Sequence, residues 1–286
     1  MTASYTHEYW TSADGLKLHY RDYAGPQDRL PLVCLHGLTR NARDFAGLAD
    51  KLAETRRVIV PEMRGRGMSD YAKDPSEYSP LTYVADVELL LAELGISRFI
   101  SIGTSMGGIM TMLMAAKDAS RLAGVVLNDI GPELNPDGIE KISSYVGQGR
   151  SFPTWMHAAK SLMEVHGESF PDFTLERWLE MAKRTMVLGQ NGRIALDYDM
   201  AIAEPFNKPE GAAPPNLWPA FSAMAQVPTL LLRGELSNLL AAAAAEKMEA
   251  EHQQLTAVTI PRVGHAPTLD EPEAIAAIDT FLAGLE

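Results

Sequence analysis

The chain has 286 residues, enough for one large domain or two small ones, and at that size folding removes roughly 75% of the extended surface from water. An apolar share of 46% and a charged share of 22% are those of a globular protein. With 25 basic against 37 acidic residues the formal charge is −12, a field that repels phosphate backbones and anionic lipid and so disfavours nucleic-acid binding. The single cysteine, Cys34, rules out an intramolecular disulfide framework and a Cys-rich zinc site. Leu239 to Ala245 is the longest uninterrupted apolar run, far short of a membrane span, and Met1 to Trp10 has no basic segment followed by an apolar stretch. The expected compartment is the cytoplasm.

In chain order, Glu8 to Ser12 and Leu16 to Asp22 alternate in polarity around Asp14-Gly15, as a hairpin does. A rhythm of short apolar runs and helical stretches follows. Leu32 to Leu35 ends at His36-Gly37, and Asp44 to Leu52 has helical spacing. Val58 to Val60 runs into Pro61 and a Gly/Arg-rich loop. Leu81 to Leu94 is an amphipathic helix, with Ser79 placed to cap it and Pro80 at its first position. Phe99 to Ile102, a helix over Gly107 to Ala116, and Val125 to Leu127 continue the pattern. Short β-branched runs alternating with helices imply an α/β fold, with a mostly parallel sheet and helices on both faces. The N-terminal hairpin adds antiparallel strands.

The rhythm stops after Asn128. From Pro132 to Asn216 the chain holds 8 of its 18 prolines, helical stretches such as Thr154 to Val165 and Leu175 to Val187, and no strand-like run. It resumes with Thr229 to Leu232, a helix from about Leu239 to Glu251, Ala257 to Ile260, and a last helix from Pro272 to Leu282. The expected organisation is therefore one core domain, 1–131 with 217–286, interrupted by a mostly helical insertion, 132–216.

Gly103-Thr104-Ser105-Met106-Gly107 matches G-x-S-x-G, directly after a strand and directly before a helix. In that turn only small flanking residues allow the strained backbone that projects the serine hydroxyl beyond the sheet, at the positive end of a helix. The bland alternative is a glycine-rich turn with an incidental serine. A serine hydroxyl needs a base. Among seven histidines, His265 sits just past the last strand, at the carboxyl end where sites in open α/β sheets assemble. His36 also ends a strand, but the turn after it points to a structural or oxyanion-loop role. His7, His19, His157, His166 and His252 read as surface or packing residues, and Cys34 as core.

In their order along the chain, His36-Gly37, the loop Arg64-Gly65-Arg66-Gly67-Met68-Ser69-Asp70, the Ser105 elbow and Gly264-His265 resemble the α/β-hydrolase family. The insertion falls where that family carries a helical cap, or lid. The resemblance implies a serine hydrolase, with Ser105 as nucleophile, His265 as base, and the backbone N–H groups of Leu38 and Met106 as oxyanion hole. Such donors are worth about 3 kcal/mol each in related enzymes. It implies no cofactor and a small-molecule substrate. No spacing of His, Asp and Glu suggests a metal site, and self-association is left open.

The acid departs from the family pattern. Its usual loop reads Arg233-Gly234-Glu235-Leu236-Ser237-Asn238-Leu239, with Asn238 at the matching position. Asn238 could orient His265 through its amide oxygen. Asp129, at the preceding strand end, could supply the carboxylate instead, or could only anchor the turn into the insertion. A third reading is a degenerate site on a weak or non-catalytic, ligand-binding protein. Trp155, Met156 and Trp218, with Phe152, Met163, Trp178 and Met186, are expected to build an apolar pocket, the bland alternative being that most of them are ordinary core of the cap. The expected reaction is hydrolysis of an ester or lactone of a small, largely apolar substrate. Carbon–carbon hydrolysis of a ring-cleavage product is the alternative with the same serine and histidine.

Overall fold

A computed structural model describes residues 5–206 and 216–285. The stretch 207–215, inside the expected insertion, lies outside them. The chain opens with β1 (Tyr5–Thr11) and β2 (Lys17–Tyr23), an antiparallel hairpin in which Thr11 faces Lys17. Gly15 takes φ +84° at its tip, a left-handed turn that glycine adopts without side-chain strain. Then come β3 (Leu32–Leu35), α1 (Ala46–Leu52), β4 (Val58–Pro61) and α2 (Pro80–Glu93). Ser79 caps α2 by accepting from the Thr82 N–H at 3.2 Å, satisfying one of the orphan donors of its first turn. β5 (Phe99–Thr104), α3 (Met106–Asp118) and β6 (Leu122–Asn128) complete the first half.

Next come α4 (Pro136–Tyr145), β7 (Ser151–Phe152), α5 (Trp155–His166), α6 (Leu175–Thr185), β8 (Met186–Leu188) and β9 (Ile194–Leu196), all within the expected insertion. The chain returns to the core through α7 (Trp218–Ser222), β10 (Thr229–Gly234), α8 (Ala242–Glu251), β11 (Leu255–Ile260) and α9 (Pro272–Ala283). No helix among the described residues is long and apolar enough to cross a membrane.

Eight strands form one sheet in the order β1-β2-β4-β3-β5-β6-β10-β11, parallel except for the pairs made by β2. Its inner strands are apolar runs covered on both faces, as expected of a parallel sheet. Along β3, Val33 and Leu35 enter the core on one side, while Leu32 and Cys34 enter the core on the other. The order reverses at β3, so the carboxyl ends of β3 and β5 flank a switch point, the place where open α/β sheets bind ligands.

The insertion is not purely helical: β7, β9 and β8 form a small three-stranded antiparallel sheet. Strands of two or three residues are too short to show a period of two. One local signal does mark them. Asn191-Gly192 makes the turn between β8 and β9, with Gly192 at φ +73° and Gly189 N–H bonded to Arg193 C=O at 2.8 Å. The helix expected to run to Val187 therefore ends at Thr185.

Candidate active site

Ser105 stands between β5 and α3 with φ 51° and ψ −115°, a backbone conformation costing about 1–3 kcal/mol. Its neighbours explain how the turn closes. A Cβ at Gly107 would fall 2.0 Å from Leu35 C=O, and one at Gly103 would fall 2.6 Å from Gly107. Only hydrogen fits at either position. The Ser105 N–H bonds to Asn128 C=O at 3.0 Å, tying the elbow to the end of β6.

Ser105 Oγ lies 2.9 Å from His265 Nε2, and His265 Nδ1 lies 2.8 Å from Asp129 Oδ2. An ionised carboxylate can only accept, so Nδ1 carries the proton and Nε2 is left to accept from the serine hydroxyl. Asp129 is fully buried, while His265 keeps 13% side-chain exposure on the cavity side. Asp129 follows β6 with φ 55°, and its N–H bonds to Leu232 C=O of β10 at 2.8 Å. Its other contacts come from the loop after β10: Gly234 N–H donates to Oδ1 at 2.9 Å and Ser237 Oγ donates to Oδ2 at 2.6 Å. Three donors thus surround one buried carboxylate. Asn238 is not brought to the imidazole. Its backbone packs against Gly138 of α4, where a Cβ would fall 2.6 Å from Asn238 C=O. The reason is the tight turn in which Ser237 Oγ also accepts from the Leu240 N–H at 3.1 Å. Ser237, which sequence reasoning did not single out, is the side chain of that loop that reaches the site. Glu235 points away and accepts from the Arg262 N–H.

The loop after β3 is set by a buried histidine. His36 Nδ1 donates to Gly37 C=O at 2.7 Å, and His36 Nε2 accepts from the Met63 N–H at 3.0 Å. Burial pushes the His36 pKa down to about 4, so the ring is neutral, as this pair of bonds requires. Gly37 C=O also accepts from the Arg40 N–H at 3.1 Å. A trans peptide is planar with N–H opposite C=O. Pinning the Gly37 carbonyl on one side therefore turns the Leu38 N–H to the other. Met106 opens α3, and the first N–H groups of a helix have no carbonyl partner within it. Behind both stands Arg66, fully buried and also unforeseen from sequence. It donates to Leu38 C=O at 2.9 Å and to Tyr83 Oη at 2.9 Å, and its Nη2 is 3.9 Å from Met106 Sδ.

A cavity of about 100 Å³ opens over Ser105 and His265, walled by Leu38, Thr39, Arg40, Tyr145, His166, Phe170, Met181 and Arg184 among others. The expected apolar pocket is thus corrected to one of mixed polarity. His166, read from sequence as a surface or packing residue, lines it. Trp155 and Met156 do not: they occupy the first turn of α5, Trp155 half-buried and Met156 exposed, away from this wall. Nor does Trp218, which packs edge-on against Phe221 with Lys247 over its ring. Aromatic and methionine content marks the core of the insertion, but not which face of each helix looks onto the serine.

Comparison with known proteins bears on the family and the fold. The chain is 36% identical to a 3-hydroxybutyrate-oligomer hydrolase of Cupriavidus necator, covering 94% of this chain and 93% of that one. It is 25% identical to a 2-(acetamidomethylene)succinate hydrolase of Mesorhizobium japonicum over 88% of this chain and 87% of the relative. Among solved structures, an alpha/beta hydrolase from Novosphingobium aromaticivorans superposes with a TM-score of 0.94 at 58% identity, covering 99% of both chains. Residues 32–278 match the Alpha/beta hydrolase family. The sheet, the elbow and these likenesses converge, and the chain is a hydrolase belonging to the alpha/beta hydrolase family.

Proposed function

We propose that the protein hydrolyses a carboxylic ester of a small substrate through an acyl-enzyme on Ser105. The observation that carries this reading is the unbroken hydrogen-bonded line from Ser105 Oγ through His265 to Asp129, at the floor of a cavity. His265 Nε2 takes the serine proton as Oγ attacks the ester carbonyl, and Asp129 stabilises the imidazolium that forms. The N–H groups of Leu38 and Met106 receive the oxyanion. His265 then gives its proton to the departing alcohol. Water, deprotonated by His265, attacks the acyl-enzyme, and His265 returns that proton to Ser105 Oγ as the acid leaves. These steps need no cofactor.

The relative from Cupriavidus necator is named for oligomers of 3-hydroxybutyrate. Such oligomers are chains of esters, which favours esters over the carbon–carbon bonds of a ring-cleavage product. With Asp129 supplying the carboxylate, Asn238 no longer argues for a protein that only binds. Residues 132–216, as a cap, would roof the cavity.

The test is rapid-quench intact-mass measurement with a short-chain p-nitrophenyl ester. The expected result is a transient acyl adduct on Ser105, with a burst of nitrophenol, both lost in Ser105→Ala. Turnover undiminished in Ser105→Ala would overturn the reading.

A further inference from the structure

We propose that Arg40 binds a carboxylate carried by the substrate, so that the ester presented to Ser105 is an anionic one. The inference rests on the ester-hydrolase reading above and narrows its substrate class. Arg40 is two residues past Leu38, and its N–H closes the turn on Gly37 C=O. A Cβ built on Gly37 would lie 3.3 Å from Arg40 Cγ and 3.8 Å from Ser105 Cβ, so the arginine stem and the serine both border the space beside Gly37. Its guanidinium is then aimed by Asp44, through Nε to Oδ2 and Nη2 to Oδ1, both at 2.6 Å. That fork uses two of the five guanidinium hydrogens. Both Nη1 hydrogens and one on Nη2 remain on the outer edge, in a head group that Asp44 has already oriented.

Arg40 borders cavity space on more than one side. A second cavity, of about 70 Å³ under α5 and the small sheet, shares Thr39, Arg40, Tyr145 and His166 with the cavity over Ser105. Arg40 therefore stands at the partition between the two. The walls of both cavities carry three arginines, Arg40, Arg150 and Arg184, against one acid, Asp44, and Arg184 is itself paired with Asp270 at 2.7 Å. Arg150 and the unused hydrogens of Arg40 are therefore the cationic groups left to an anion. Tyr145 and His166, which line both cavities, are neutral at pH 7 and do not oppose an anion. Burial holds the Tyr145 phenol up at about 12, and burial, then the charges of Arg40 and Lys141, push His166 down to about 4. The bound substrate would run from the ester carbonyl at Ser105 to a carboxylate at Arg40.

The alternative is that Arg40 and Asp44 form only a structural clip, and the experiment separates the two. kcat/KM for cleavage of the internal ester is measured on the 3-hydroxybutyrate dimer and on its methyl ester, which lacks the charge and carries one more methyl group. Wild type is expected to prefer the free acid at least tenfold, mostly through KM. Arg40→Met is expected to bring that ratio near one, and Arg40→Lys to restore part of it. A methyl ester cleaved as well as the acid by wild type, or a preference that survives in Arg40→Met, overturns the proposal. A second readout needs no variant: 3-hydroxybutyrate, but not its amide, should slow labelling of Ser105 by a small fluorophosphonate. Equal protection by acid and amide also overturns it. Failure of Ser105 to label at all would instead bring down the ester-hydrolase reading itself.

Discussion

Ser237 Oγ donates to Asp129 Oδ2 at 2.6 Å, the same oxygen that faces His265 Nδ1 at 2.8 Å. The loop on which the resemblance usually places the acid here holds a hydroxyl bonded to a buried carboxylate from the neighbouring strand. Ser237→Ala removes one of three donors to a buried carboxylate and leaves the Leu240 N–H without its acceptor. The expected outcome is a loss of stability of about 1 kcal/mol, read by urea denaturation. A fall of roughly tenfold in kcat, with KM little changed, should accompany it as the imidazole loses a fixed partner.

The elbow tolerates no side chain at Gly107. A methyl there would meet Leu35 C=O at 2.0 Å, and the obstacle is backbone rather than a rotatable side chain. Gly107→Ala should cost about 3 kcal/mol or more. Gly15→Ala is the contrast: its space is open, and only the φ of +84° opposes it, at about 1 kcal/mol. Denaturation midpoints of the two variants, compared with wild type, check the difference. Equal midpoints would refute this account of the turn.

Two histidines make the fold sensitive to acid. His36 and His166 both have folded pKa values of about 4, lowered first by burial, against about 6.5 in the unfolded chain. The fold favours their neutral forms, so their contribution is full above pH 6.5 and is lost as pH falls from there towards 4. At pH 5 the unfolded chain binds nearly one proton more per histidine, a slope of about 1 kcal/mol per pH unit for each. Unfolding free energies at pH 7, 6 and 5 should decline with a steepening slope. A flat profile across that range would contradict neutral burial of these rings.

The parts of this protein legible in its sequence are those that depend on local pattern. Ser79 and Pro80 mark the start of α2, Asp14-Gly15 marks the hairpin, and the G-x-S-x-G run marks the elbow, because each is decided within a few residues. His265 was readable from its place after the last strand. The choice between Asp129 and Asn238 was not, because it depends on how the turn from Ser237 to Leu240 folds back, a tertiary matter. Arg66 and Ser237 escaped for the same reason: each acts through partners distant in sequence, Leu38 and Tyr83 for one and Asp129 for the other. The cavity wall was misjudged because composition counts Trp155, Met156 and Trp218 without saying which way they face. The short strands β7, β8 and β9 carry too few residues for periodicity, and only Asn191-Gly192 betrays them.

The central claim is that Asp129, not Asn238, completes the line to Ser105. Its most direct test is the rate of covalent labelling of Ser105 by a small alkyl fluorophosphonate in wild type, Asp129→Asn and Asn238→Ala. Asp129→Asn should slow labelling by roughly 10³–10⁴-fold, because an amide in that place leaves the imidazole in the wrong tautomer and its charge unsupported. Asn238→Ala should stay within about threefold of wild type, as expected of a side chain away from the site. Rapid labelling in Asp129→Asn together with collapse in Asn238→Ala would contradict the account and give the orienting role to the asparagine.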